Sequence, residues 1–154
     1  MRVIVPFAGE LNPVVRDVLE DQVVVDFIRL RTDFDYHLLL QGLWMIGNPV
    51  IIVEHDVLPW PGALTELEQC SCAWGANSYK LHGGIGIYHG FGCTKLTPKL
   101  MEAIPDIWEC DPIHWSQLDQ RLWFAAREKG FEPHPHRPPV IHLSKKHVRP
   151  RVDS

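Results

Sequence analysis

The chain has 154 residues, room for one ordinary domain and not for two. A hydrophobic content of 45% with 22% charged residues is enough to build a buried core, which excludes a disordered segment. The formal net charge of −4 argues against nucleic acid as the main partner. No apolar run reaches the length of about 18 residues that a membrane span needs.

Val3-Ile4-Val5-Pro6-Phe7 reads as a first strand and not as a secretory signal, so a cytoplasmic location with reduced thiols is expected. Ala8-Gly9 turns the chain. Asn12 is a candidate N-cap with Pro13 at the first helical position, and Val14, Val15, Val18 and Leu19 follow at helical spacing. Residues 23–28 are predicted as a second strand, apolar apart from Asp26 and therefore covered on both faces. Asp33 or Asp35 caps a second helix carrying Tyr36, Leu39, Leu40, Leu43 and Trp44, which stops at Gly47-Asn48-Pro49. Val50-Ile51-Ile52-Val53 is a third strand. This β-α-β-α-β order predicts parallel pairing with right-handed crossovers.

The second half reads differently. A short helix runs to about Gln69, and residues 70–81 form a strand or two. Residues 82–92 hold five glycines, at 83, 84, 86, 90 and 92. A strand then turns into a helix with Thr97 as N-cap and Pro98 at its first position. The longest helix is predicted from near Ser116, with Leu118, Leu122, Phe124 and Ala125 on its buried face and Gly130 at its end. A proline-rich extended piece ends in the strand Val140-Ile141-His142. The fold class expected is a single α/β domain with a central mixed, mostly parallel sheet flanked by helices.

The candidate chemistry lies in PVIIVEHDVLPWPG, residues 49–62. Glu54 and Asp56 directly follow a buried parallel strand, where ligands bind in such sheets. Other acid-x-acid triplets occur at 33–35, 66–68 and 109–111, so position and not composition singles this one out. One reading has Asp56 capping the next turn while Glu54 faces solvent. The other has the two carboxylates holding a hard divalent cation, with phosphate oxygens filling its remaining sites.

This stretch resembles the strand and DxD-like acidic motif of the GT-A type glycosyltransferases. The Gly-rich aromatic stretch, GFGCTKLTPKLM, WSQLDQRLWFAAREKG and PPVIHL follow in the order that family shows. The resemblance implies one compact GT-A-like domain over residues 1–147, with 148–154 as a basic tail. It implies transfer of a sugar from a UDP- or GDP-sugar to a hydroxyl acceptor with Mn2+ or Mg2+. Glu54 and Asp56 match the metal motif, and His142 matches the late histidine that approaches the metal or diphosphate. Asp119 matches the general base of inverting members, with Glu109 or Asp111 as alternatives. Pro6, Phe7 and Asp26 fall where the nucleotide pocket is expected. The chain departs from the family in having few strands before the acidic motif and Glu for the first acid.

The Gly-rich stretch reads as a hairpin loop or as a lid whose Tyr88 or His89 touches the donor sugar. Trp74 offers an apolar wall for a sugar ring or a core side chain. Four cysteines, at 70, 72, 93 and 110, lack CxxC spacing, and His134-Pro135-His136 has no partners at ligand spacing. Loop histidines are therefore expected there in place of a zinc site. Two further classes compete with the transferase: a non-catalytic nucleotide-sugar or glycan-binding module, and a nucleotide-dependent oxidoreductase that lacks the glycine fingerprint.

Overall fold

A computed structural model describes residues 1–77, 79–80, 87–88, 91–136 and 140–143. In chain order the elements are β1 (Arg2–Ala8), α1 (Pro13–Glu20), β2 (Val25–Leu30), α2 (Asp35–Ile46), β3 (Val50–Val53), β4 (Val57–Pro59), α3 (Ala63–Gln69), β5 (Trp74–Asn77), β6 (Tyr79–Lys80), β7 (Ile87–Tyr88), β8 (Cys93–Leu96), α4 (Pro98–Ala103), a 3-10 turn (Trp115–Gln117), α5 (Leu118–Glu128), β9 (His134–His136) and β10 (Val140–His142). Among the described residues no helix is long and apolar enough to cross a membrane.

Six strands form the central sheet in the order β2-β1-β3-β8-β5-β9. β1 runs parallel to both β2 and β3, and β9 runs parallel to β5, whereas β8 is antiparallel to β3 and β5. Two smaller ladders, β10 with β4 and β6 with β7, are antiparallel. The expected β-α-β-α-β opening and the mixed sheet are both present.

Strand alternation divides the core into two layers. Ile4, Val50 and Ile52 face one layer with Tyr36, Leu40, Leu43, Phe91, Leu100, Trp108, Leu118 and Leu122. Val3, Val5, Ile51 and Val53 face the other with Val15, Leu19, Leu64 and Leu67. All four residues of β3 are buried. Burying such a side chain contributes roughly 1.5–3 kcal/mol. Fixing its backbone costs roughly 1–2 kcal/mol. The side chains therefore hold β3 in place.

Local signals account for the first helices. Asn12 Oδ1 accepts the Val14 amide at 2.9 Å, and Pro13 opens α1. α2 ends at Gly47, whose φ of 73° is the left-handed C-cap conformation that glycine adopts without strain. Asp35 does not cap α2; its carboxylate accepts the backbone amides of Arg31 and Thr32 and the Thr32 hydroxyl, bracing the turn before the helix. Those bonds, the Arg31 amide first, hold its pKa below the usual carboxylate value.

Other expectations shift. The second strand runs over Val25–Leu30 and is only half covered, because it lies at the sheet edge. Thr97 stands at the N-cap of α4 with Pro98 after it, as expected, but its hydroxyl donates to Ala73 O at 2.6 Å instead of accepting a helix amide. α5 begins at Leu118, after the 3-10 turn, and buries Leu118, Leu122 and Ala126, while Phe124 is 66% exposed. At 11 residues α5 is one shorter than α2, with 12.

The segment between α4 and α5 has little regular structure and is stitched down by side chains. Trp44 Nε1 donates to Ile104 O at 3.1 Å, and Arg121 Nε donates to Ile107 O at 2.7 Å. The buried His37 ring accepts the Ile113 amide on Nδ1 at 3.2 Å. Its Nε2 therefore carries the proton and donates to Trp108 O at 3.0 Å. These bonds fix where α5 starts. Replacing His37 with Leu strands a buried carbonyl and a half-buried amide, at about 1–3 kcal/mol each. The expected outcome for His37→Leu is a lower urea midpoint with an unchanged slope, read by chemical denaturation.

Candidate functional site at the strand ends

Because β1, β2 and β3 are parallel, their carboxyl ends share one edge of the sheet, the edge at which antiparallel β8 begins. Glu54 is the first residue past β3. Its amide donates to Gly92 O at 2.9 Å, and the Val57 amide closes a turn on Glu54 O at 3.0 Å. Glu54, His55 and Asp56 are half-buried in this turn. Ile52, two residues before Glu54, faces the layer that holds Leu118 of α5.

The chain returns to this turn near its end. β10 pairs with β4 so that His142 stands opposite Val57, and the Leu143 amide donates to Asp56 O. Backbone register thus brings Glu54, Asp56 and His142, distant in sequence, to one rim.

Pro6 and Phe7 lie near the carboxyl end of β1, in register with Ile28 and Arg29. Both are buried, and the Arg29 guanidinium lies over the Phe7 ring at 5.1 Å while reaching Gly9 O at 3.1 Å. Asp26, expected with them at the nucleotide pocket, lies away from the carboxyl ends. It is the second residue of β2, level with Ile4 in register, and its carboxylate takes Arg2 Nε at 2.8 Å. The edge strand starts two residues later than its apolar run suggests, which moves Asp26 toward the amino end.

Asp119 sits in the first turn of α5, where its Oδ1 accepts the Gln120 amide at 2.8 Å. Burial pushes its carboxyl pKa above the usual Asp value, against the lowering effect of that hydrogen bond. Its neighbour Leu118 belongs to the buried layer of Tyr36 and Phe91, the latter adjacent to the Gly92 that holds Glu54. Glu109 and Asp111, the alternatives, are exposed.

Sequence reading missed an aromatic group beside α5. The Trp115 amide donates to Asp33 O at 3.0 Å, just past β2, and His114 Nε2 lies 3.6 Å from the Asp33 carboxylate. Phe34 and Trp115 flank His114 at ring separations of 6.4 and 5.2 Å. Trp115 is 56% exposed, uncommon for so large an apolar ring. Its signal in the sequence was a tryptophan next to a helix start with no place in the apolar periodicity. Trp74, by contrast, is a core residue packed edge-on to Trp123 at 6.2 Å, so it forms no open wall. An open groove of about 500 Å³, lined by Ile107, Ile113, Gln117, Arg121, Phe124 and Glu128, runs along α5 and not over the strand ends. Residues 81–86, His89, Gly90 and the basic tail lie outside the described residues, and Tyr88 pairs with Tyr79 in the β6–β7 ladder.

The expectation of scattered loop histidines fails at one place. Cys70, Cys72, His134 and His136 converge at the opposite side of the sheet, their candidate ligand atoms all within 4.8 Å of one another. Sequence spacing hid this because the two pairs are brought together by the β5–β9 ladder.

No protein-family model matches the chain, and no curated protein matches it. Among solved structures, the crystal structure of A197 from STIV superposes with a TM-score of 0.66 at 13% identity, over 94% of this chain and 86% of that one. A glycosyltransferase involved in the glycosylation of the major capsid of PBCV-1 superposes with a TM-score of 0.52 at 11% identity, over 90% and 83%. At these identities the likeness is one of fold, and the fold is a single GT-A-like α/β domain with a six-stranded central sheet.

Proposed function

We propose that the protein is a metal-dependent glycosyltransferase that moves a sugar from a UDP- or GDP-sugar to a hydroxyl acceptor. The observation that carries this reading is the acid-x-acid turn at the carboxyl end of buried β3, with His142 returned in register beside it. The fold shared with a glycosyltransferase supports it. So does the chemistry of the donor set, since carboxylate oxygens from Glu54 and Asp56 suit Mn2+ or Mg2+.

In this reading Glu54 and Asp56 hold the ion, with His142 near it or the diphosphate. A divalent ion bound there neutralises charge on the departing nucleoside diphosphate. Asp119 takes the proton from the acceptor hydroxyl as the sugar is attacked, and a pKa raised by burial makes it a better proton acceptor. Pro6 and Phe7 border the nucleotide, contributing backbone because their side chains are buried. The exposed face of Trp115 suits stacking on a sugar ring of the acceptor.

Thermal stability in Mn2+ with UDP or GDP tests the site. The expected outcome is a rise in Tm that needs both metal and nucleotide and is lost in Glu54→Ala and in Asp56→Ala. Metal-dependent release of nucleoside diphosphate from a sugar nucleotide should accompany it. Stabilisation without release in a screen of donors would identify a binding module instead, and stabilisation by NAD without metal would oppose both.

Asp119→Asn tests the base. Transfer should fall by about 10²-fold or more while the metal-nucleotide shift in Tm persists. In the unaltered protein the acid limb of kcat/KM should lie above the usual Asp range. The folded state favours the neutral carboxyl, so its stabilising contribution is full below the unfolded pKa and is lost as pH rises through the folded one. Asp119→Asn should therefore raise Tm near neutral pH, with the gain vanishing in acid.

A further inference from the structure

We propose that Cys70, Cys72, His134 and His136 bind one Zn2+ in a closed tetrahedral site that pins the far edge of the sheet. Cys70 and Cys72 lie between α3 and β5, and His134 and His136 are the alternate residues of β9 that face one side of it. Gly75 pairs with His134 and Asn77 with His136, so the parallel ladder carries both rings over the cysteine loop.

The spacings suit zinc. Zn–S bonds of about 2.3 Å and Zn–N bonds of about 2.0–2.1 Å at tetrahedral angles put nitrogens ~3.3 Å apart and sulfur ~3.6 Å from nitrogen. Here His134 Nδ1 and His136 Nε2 are 3.3 Å apart. Cys70 Sγ lies 3.7 Å from His134 Nδ1, and Cys72 Sγ lies 3.9 Å from His136 Nε2. Two thiolates and two neutral imidazoles cancel the charge of the dication, which suits a partly buried position.

The surroundings support the same donors. His136 Nδ1 lies 3.4 Å from Glu66 Oε1, and a proton held there leaves the Nε2 lone pair to ligate. The Cys72 amide points at Cys70 Sγ at 3.4 Å. The buried Lys95 ammonium donates to Cys70 O and, at 3.4 Å, to Glu68 O, fixing the loop that carries the first cysteine. Gly75 leaves room beneath the cluster: a Cβ there would stand 2.9 Å from Cys72 Sγ and 3.4 Å from His136 Nε2. With four protein donors no position stays open, so the role is structural and not catalytic. The tie acts on β9, a three-residue edge strand with Pro135 at its centre that pairs within the sheet with β5. β9 precedes β10 in the chain, so the tie anchors the segment that brings His142 to the rim.

The full chain, produced with zinc in the medium, should carry one zinc per chain after gel filtration, by elemental analysis. Replacement with Co2+ should give the intense visible bands of a tetrahedral two-thiolate site. Chelation should lower Tm, and added Zn2+ should restore it. Cys72→Ser and His136→Gln should lose the metal, and Gly75→Ala should weaken zinc binding by about tenfold or more. Where a variant fails to fold, the cobalt spectrum of the unaltered chain decides. A weak octahedral spectrum, substoichiometric zinc after refolding with Zn2+, a Cys70–Cys72 disulfide in place of the metal, or full zinc in Cys70→Ser/Cys72→Ser would each overturn the proposal. None of these outcomes depends on transferase activity.

Discussion

Four side chains, Val50 to Val53, are covered on both faces of the sheet, and the arrangement of the rim follows from that cover. A strand buried on both faces leaves no room for a charge along its length. Its first polar residues therefore come where the cover ends, at Glu54. There the Gly92 carbonyl from the approach to β8 takes the Glu54 amide, and the Asp56 carbonyl takes the Leu143 amide. The turn is thus held from both sides by backbone bonds. Backbone tied in this way suits the proposed cation site, because ligands ordered in advance lose little entropy on binding.

Two sets of possible metal donors sort by chemistry. Glu54 and Asp56 put two carboxylates into the turn at the strand-end rim, and in the proposed reading a ligand's phosphates complete the coordination of a hard dication there. Sulfur and imidazole nitrogen gather at the β5–β9 edge in a complete set of four. Soft donors retain zinc, whereas hard oxygen donors exchange magnesium or manganese with their substrate. In the two proposals one ion belongs to the framework and the other to the chemistry. The link between them is the C-terminal chain, which passes from β9 to β10.

The first half of the fold was legible because its signals are local. Asn12-Pro13 starts a helix and Gly47 ends one. The uninterrupted run at 50–53 marks a doubly covered strand, and the acids after it mark the strand end. Where local signals mislead, a tertiary contact explains it. The apolar run at 23–28 suggested a central strand, but β2 is an edge strand that begins at Val25, and Asp26 pairs with Arg2. Phe124 fits helical periodicity yet faces outward, because Leu118, Leu122 and Ala126 define the buried stripe. The cysteine and histidine cluster was illegible for a different reason. Each pair has i, i+2 spacing, and 64 positions separate one from the other; only the pairing of β5 with β9 closes that gap. The backbone of His142 comes opposite Val57 in the same way, through a ladder and not through spacing.

Paramagnetic broadening by Mn2+ in amide NMR spectra of the full chain tests the central claim directly, because Mn2+ quenches signals near its binding site. With UDP or GDP present, the expected result is selective loss of the amide signals of Glu54 to Val57 and of Leu143. Signals at Cys70 to Gly75 and at His134 and His136 should persist. Persistence of the Glu54 to Val57 signals at saturating Mn2+ and nucleotide would contradict a metal site at the end of β3.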